Sequence, residues 1–266
     1  MKGGDSVTST SVRRNNYPFA LESELRDAAN ENGYRIPQGQ AAGWLFFNSA
    51  SAPGEIAVAA TDAGMSGPFF LSVWHPGAAR ELKAEPAQPC AKEHAGAFVF
   101  HDREALFEAV RAVYRFSMSL PSLPYEEFLK ETKHLGDTEA ERTLKVRIGQ
   151  ARFRSALLDY WNGTCPITGV TDPDLLRASH IIPWAKCESD QERLNVHNGF
   201  LLSALWDAAF DGGLVTFDDL GRAVASPRLS QNALEALALA DVAPLTLSEE
   251  HRSRLAWHRQ HVWKVE

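Results

Sequence analysis

Between Cys165 and Phe217 four residues set among apolar neighbours could do chemistry: His180, Asn198, Asp207 and Asp211. A neutral imidazole near a carboxylate supplies what phosphodiester hydrolysis requires, a general base for water and an oxygen ligand for a hard divalent cation. Histidine suits the first role because its ordinary pKa lies near working pH. Aspartate suits the second because Mg²⁺ prefers carboxylate oxygens and keeps several of its waters, so one or two protein ligands suffice. Asn198 can donate and accept at once, and so could brace the loop that carries the base. The same residue types also have plainer uses. A His on an apolar strand is often a satisfied core residue, an Asn before Gly is a routine turn signal, and an Asp ahead of Gly-Gly can simply bond loop amides.

The elements that must position these groups can be read locally. Leu175-Leu176-Arg177-Ala178-Ser179-His180-Ile181-Ile182 is a short apolar stretch stopped by Pro183, which predicts a strand with His180 at its centre. Gly199-Phe200-Leu201-Leu202 predicts a second strand. It runs into Ser203 as an N-cap, and about two helical turns follow before Gly212-Gly213. Asp207 and Asp211, one helical turn apart, share a face of that helix. His197 reads as a solvated loop residue.

With these residues in place, the chain resembles the HNH endonucleases of the ββα-metal type, in the branch found in restriction-like bacterial proteins. The sub-motifs stand in order as Cys165-Pro166-Ile167-Thr168-Gly169, Ala178-Ser179-His180-Ile181-Ile182-Pro183-Trp184, Asn195-Val196-His197-Asn198-Gly199-Phe200-Leu201-Leu202, and Asp207 with Phe210-Asp211-Gly212-Gly213. Flanks from Arg147 to Arg154 and from Trp257 to Trp263 extend the likeness to roughly residues 138–266; nothing before about residue 125 shares it. The resemblance implies that His180 is the general base, that Asn198 orients its loop, and that Asp207 is the last metal ligand, where this branch more often has His. It also implies a departure: many relatives carry a metal-binding Asp immediately before the base, and here that residue is Ser179. Asp211 is the residue that could make up the missing ligand.

Mg²⁺ or Mn²⁺ is therefore the expected cofactor. A structural zinc is not expected, since the chain has three cysteines, Cys90, Cys165 and Cys187, and no C-x-x-C. Three unpaired cysteines, a polar N-terminal stretch without the apolar core of a signal peptide, and no run of membrane-spanning length predict a soluble, cytoplasmic protein without a membrane partner.

The net charge of −7 argues against a uniformly nucleic-acid-coating surface. Distribution matters more than the sum: Arg142, Lys145, Arg147, Arg152 and Arg154 follow one another with no acidic residue among them, just ahead of the motif. A basic helix there would track the phosphates of double-stranded DNA; a solvated helix face is the plainer alternative.

At 266 residues and 44% hydrophobic composition the chain can bury one large core or two modest ones. The break is placed in Ser117–Pro124, giving residues 1–120 as an α+β module for target recognition or interaction and 125–266 as the nuclease domain. In the first module a helix over Leu21–Asn32, strands at Gly43–Phe47, Glu55–Ala60, Phe69–Trp74 and Ala97–Phe100, and a helix capped by Asp102 predict an antiparallel sheet with flanking helices. The fold class is thus α+β throughout, ending in a ββα-metal domain with its own flanking helices. Trp44, Trp74 and the Phe-rich strands could line an aromatic pocket for an extruded base, or simply be core. The function expected is a metal-dependent DNA endonuclease of the restriction or defence type, selecting its target, a modified base among the candidates, through the first module. A second copy of the chain is a candidate partner. The alternative is an HNH-fold DNA-binding or regulatory protein with weak or lost catalysis.

Overall fold

The computed structural model describes Val12 and residues 16–265, so most of the polar N-terminal stretch lies outside the described residues. The chain divides into two compact units, Met1–Met118 and Ser119–Glu266.

The first unit is mixed α+β. Helix α1 (Phe19–Asn30) precedes strands β1 (Ile36–Ala41), β2 (Trp44–Asn48), β3 (Glu55–Ala60) and β4 (Phe69–Val73), a short helix α2 (Pro76–Glu81), strands β5 (Glu85–Pro86) and β6 (Gly96–Phe100), and helix α3 (Arg103–Ser119). The strands form one antiparallel sheet in the order β1-β2-β3-β4-β6-β5. Asp102 caps α3, its Oδ1 accepting from the Ala105 amide at 2.8 Å. Nearly every residue of β2, β3, β4 and β6 is buried, so both faces of the central strands are covered. The two faces differ in kind. Register places Phe46, Ala57, Ser72 and Ala97 in one row and Trp44, Ala59, Phe70 and Val99 in the next, a face where small residues alternate with aromatic ones.

The second unit starts with α4 (Ser122–Thr132) and the long α5 (Glu139–Tyr160), which pack on each other. A reciprocal capping box fixes the start of α5: Thr138 Oγ1 accepts from the Glu141 amide, and the Glu141 carboxylate accepts from the Thr138 amide. Then come β7 (Leu176–His180), one-turn α6 (Asp190–Arg193), β8 (Gly199–Ser203), α7 (Ala204–Asp211), β9 (Val215–Phe217), β10 (Ala223–Ala225), α8 (Gln231–Ala236) and α9 (Glu249–His261). Strands β7 and β8 pair antiparallel with His180 opposite Gly199, and α7, which follows β8 without a break, packs on both. Helix α5 packs on the same two strands, and α9 packs on β9. Among the described residues no helix is long and apolar enough to cross a membrane.

Candidate active site

His180 is the last residue of β7, not its centre as the apolar run suggested. The strand ends there because Asn198 takes over the backbone that follows: its main-chain carbonyl accepts from the Ile181 amide at 2.9 Å, and its side-chain Oδ1 from the Ile182 amide at 2.9 Å. The Asn198 Nδ2 donates to the Ile182 carbonyl at 3.2 Å and to Cys187 Sγ at 3.3 Å. Asn198 is fully buried, so each of these bonds forms where water cannot compete. The Cys187 thiol donates to the Ile182 carbonyl at 3.4 Å, and burial pushes its pKa up to about 11, which keeps it a neutral donor.

The imidazole is held on three sides. Phe153 of α5 stacks on it, centroids 3.8 Å apart and planes 20° apart, and Trp184 meets it edge-on at 5.6 Å. Phe153 can reach this place because Gly199, opposite His180, has no side chain; a Cβ there would come within 2.4 Å of the Phe153 ring. On the third side His180 Nε2 lies 3.0 Å from the Arg193 carbonyl. A carbonyl can only accept, so Nε2 carries the hydrogen and Nδ1 keeps its lone pair. Burial lowers the His180 pKa to about 4, with the Arg193 carbonyl opposing the shift, so the ring is neutral at neutral pH. Arg193 also ties down its own loop: Nε donates to the Trp184 carbonyl at 3.1 Å, Nη2 to that of Cys187 at 2.7 Å, and Nη1 to Asp190 at 2.9 Å.

Helix α7 buries Trp206, Ala209 and Phe210 and turns Asp207 and Asp211 to the other side. Ser203 occupies the N-cap position, although its hydroxyl makes no capping bond. The Asp211 carboxyl is raised above the usual carboxylate value, first by partial burial and then by the negative charge of Asp207. The charge of Asp207 is thus felt at Asp211, and a divalent cation held by the two carboxylates would offset it. Among the described residues no group of three or more His, Cys, Asp or Glu side chains is arranged to hold a metal. A donor set of two aspartates fits a cation that keeps most of its waters, such as Mg²⁺, and does not fit a fully protein-ligated ion such as structural zinc. Ser179, where an aspartate would add a ligand, is buried, and its hydroxyl has no hydrogen-bond partner among the described residues.

The five basic residues all lie on α5, but most are engaged within the unit. Arg152 pairs with Glu127 at 2.6 Å and with Glu131; Arg154 donates to the carbonyls of Leu176 and Pro173 at 2.8 and 2.7 Å. Lys145 lies 3.3 Å from Asp190, and Arg142 donates to the Asp137 carbonyl at 2.8 Å. Arg147 is exposed, with no partner among the described residues. The unbroken basic row is thus mostly an intramolecular device, because the glutamates of α4 and the carbonyls before β7 lie beside it. His197 also differs from its expected place. It is buried, 3.0 Å from Glu250 and edge-on to Tyr160 and His251.

Sequence reasoning missed Arg193, Phe153 as the floor of the imidazole, and His258. The last of these is buried in α9 and stacks on Phe210 at 4.2 Å; its Nε2 donates to the Phe210 carbonyl at 3.3 Å and its Nδ1 accepts from Thr216 Oγ1 at 3.0 Å. It clamps the end of α7 that bears Asp211. Only the aromatic and basic flanks of the motif hinted at any of these. Compared with known proteins, residues 165–218 match the family model described as HNH endonuclease, a segment that holds His180, Asn198, Asp207 and Asp211 and leaves α5 and α9 outside it. No curated protein matches the chain.

Proposed function

We infer, from the premise that residues 165–218 form an HNH endonuclease domain, that the second unit hydrolyses DNA phosphodiester bonds with His180 as general base. The observation that carries this is the bond from Nε2 to the Arg193 carbonyl, which leaves Nδ1 as the nitrogen able to take a proton. As Nδ1 takes a proton from the attacking water, the ring becomes an imidazolium whose Nε2–H the Arg193 carbonyl already stabilises. Asn198 holds the backbone just beyond the base, and Phe153 and Trp184 keep the ring from turning. Asp207 and Asp211 would hold Mg²⁺ or Mn²⁺, which when bound neutralises charge on the scissile phosphate. Arg147, with Arg142 and Lys145, would meet the duplex backbone; Arg152 and Arg154 support the site by fixing α5 to α4 and to β7.

The reading extends to a restriction or defence enzyme in which the first unit selects the target, a modified base among the candidates, and the second cuts. The experiment is a nicking assay on plasmid DNA from hosts with and without base modification, with chelator, Mg²⁺ and Mn²⁺ as variables. Metal-dependent nicking abolished by His180→Ala is the expected result; chelator-resistant cutting overturns the metal reading. Ser179, standing where an aspartate would add a metal ligand, favours a second reading, an HNH-fold DNA-binding protein with weak catalysis. DNA binding without nicking in any metal would select it.

A further inference from the structure

We propose that α9 and the residues after it position both halves of the nuclease site from outside the matched segment. The first turn of α9 grips His197 beside Asn198, and the tail crosses the end of α7 that carries Asp211; the proposal rests on the reading of this unit as a nuclease.

The grip acts on the turn that bears Asn198. Val196–Asn198 is a single turn of 3-10 helix capped by Asn195, whose Oδ1 accepts from the His197 amide at 2.9 Å. Asn198 holds the backbone after His180, and its neighbour His197 is buried, with a side chain only 5% exposed. A buried polar ring needs partners, and two helices supply them. Tyr160 of α5 meets the ring edge-on at 5.6 Å, His251 of α9 meets it edge-on at 5.1 Å, and the Glu250 carboxylate lies 3.0 Å from Nδ1. His251 is itself fully buried, stacked on Phe200 of β8 at 5.5 Å and locked in a reciprocal capping box with Ser248. The first turn of α9 is thus fixed on β8, and through Glu250 and His251 it fixes the turn that carries Asn198.

The other end of α9 meets the other half of the site. Past His261 the chain crosses the Gly212–Gly213 turn that ends α7, and the Lys264 amide donates to the Gly213 carbonyl at 2.9 Å. The approach is so close that a Cβ on Gly213 would lie 2.1 Å from the Val262 carbonyl oxygen, and Gly213 is left-handed at φ 67°. Glycine is required there on both counts. The tail therefore ties down the backbone two residues beyond Asp211, at the end of a helix of eight residues. Groups behind metal ligands set how well those ligands are aimed. Glu250, His251 and Lys264 all lie outside residues 165–218, so the matched segment alone lacks both supports.

The test uses the full chain and separates the two ends. Glu250→Gln keeps the shape of a side chain that is 46% exposed and removes its charge; Lys264→Pro removes the amide that donates to Gly213. Hydrogen exchange at the Ile181 and Ile182 amides, both of which donate to Asn198, reads the base loop. Mn²⁺ binding followed by electron paramagnetic resonance without DNA reads the carboxylates, and kcat and KM of plasmid nicking are measured beside both. Glu250→Gln is expected to speed exchange at those two amides and to lower kcat roughly tenfold, with KM and Mn²⁺ affinity unchanged. Lys264→Pro is expected to weaken Mn²⁺ binding roughly tenfold, with nicking recovered at high Mg²⁺. Ending the chain after Val262 removes the same bond and keeps the test open if Lys264→Pro does not fold. Wild-type exchange and kcat in Glu250→Gln, or wild-type Mn²⁺ affinity in Lys264→Pro, overturns the proposal. So do equal losses in every reading that track a lowered melting temperature, the mark of a helix that only stabilises. A wild-type chain that binds no Mn²⁺ and nicks in no metal removes the nuclease reading and the proposal with it; one that does both while the variants match it removes the positioning role alone.

Discussion

His180 can act as a base only if it reaches neutral pH unprotonated and with one nitrogen uncommitted, and the surrounding residues secure both. Its replacement by alanine should lower the nicking rate by roughly two to four decades, the usual range for a lost general base, with circular dichroism and DNA affinity little changed. Burial lowers its pKa to about 4, so the acid limb of kcat/KM against pH should fall well below the ordinary imidazole value of 6.5. A limb centred near 6.5 would mean that the ring is solvated in the working enzyme. His258 is shifted the same way, to about 4, again by burial first. For both, the unfolded chain binds the proton more readily than the folded one. The stability they contribute is therefore complete above about pH 6.5 and is lost as pH falls from there toward about 4. Denaturant midpoints across that window should decline in the wild type and decline less steeply in His258→Asn. That variant also loses about 1–3 kcal/mol at neutral pH, because Thr216 and the Phe210 carbonyl are left without their partner.

At the level of elements, the site is a hairpin and a helix pressed between α5 and structure near the C-terminus, and one glycine governs the contact. A Cβ on Gly199 would lie 2.4 Å from the Phe153 ring and 2.8 Å from the Ser179 carbonyl, and the latter is backbone that cannot swing away. Gly199→Ala should therefore cost about 1–3 kcal/mol by overpacking. It should also slow nicking, as the ring under His180 is displaced; unchanged thermal melting in that variant would contradict the packing described. Helix α5 offers a contrast between charges of one sign. Arg147→Ala should weaken DNA binding and reduce the salt slope by about one, whereas Arg152→Ala should act on stability, since it leaves Glu127 and Glu131 without their cation. These differences mark what was legible in the sequence. β2, β3, β4, β6, β8 and α7 are written in their own composition, as aromatic and β-branched runs or a helix between Ser203 and Gly212. β1, Ile36-Pro37-Gln38-Gly39-Gln40-Ala41, is exposed throughout and becomes a strand only by pairing with β2. His180, Asn198, Asp207 and Asp211 could be picked out because their spacing is local. Arg193, Phe153 and His258 could not, because each acts through a contact that only the folded chain creates.

At the scale of the whole molecule, the net charge is −7, and two of the five basic residues of α5, Lys145 and Arg152, are already paired with carboxylates, so long-range attraction of DNA would rest on a few cations such as Arg147. Selectivity must then come from contacts of another kind, which is why the division into Met1–Met118 and Ser119–Glu266 matters for function. Every residue proposed for catalysis or phosphate contact lies in the second unit, so a fragment of residues 119–266 should keep metal-dependent nicking with little preference among substrates. Residues 1–118 should show whatever preference for target or modification exists and no cutting. If that first fragment binds neither modified nor unmodified duplex at any salt concentration, the target-reading role fails and the unit is better assigned to contacts between proteins. The unit proposed to cut has one His180 and one α7, which would hydrolyse one strand at a time. A double-strand break therefore needs two chains or two successive nicks. The two routes separate kinetically. With two chains acting together, linear product should appear without accumulated nicked circle and rise steeply with enzyme concentration; with successive nicks, nicked circle should build up first and the rate should follow enzyme concentration linearly.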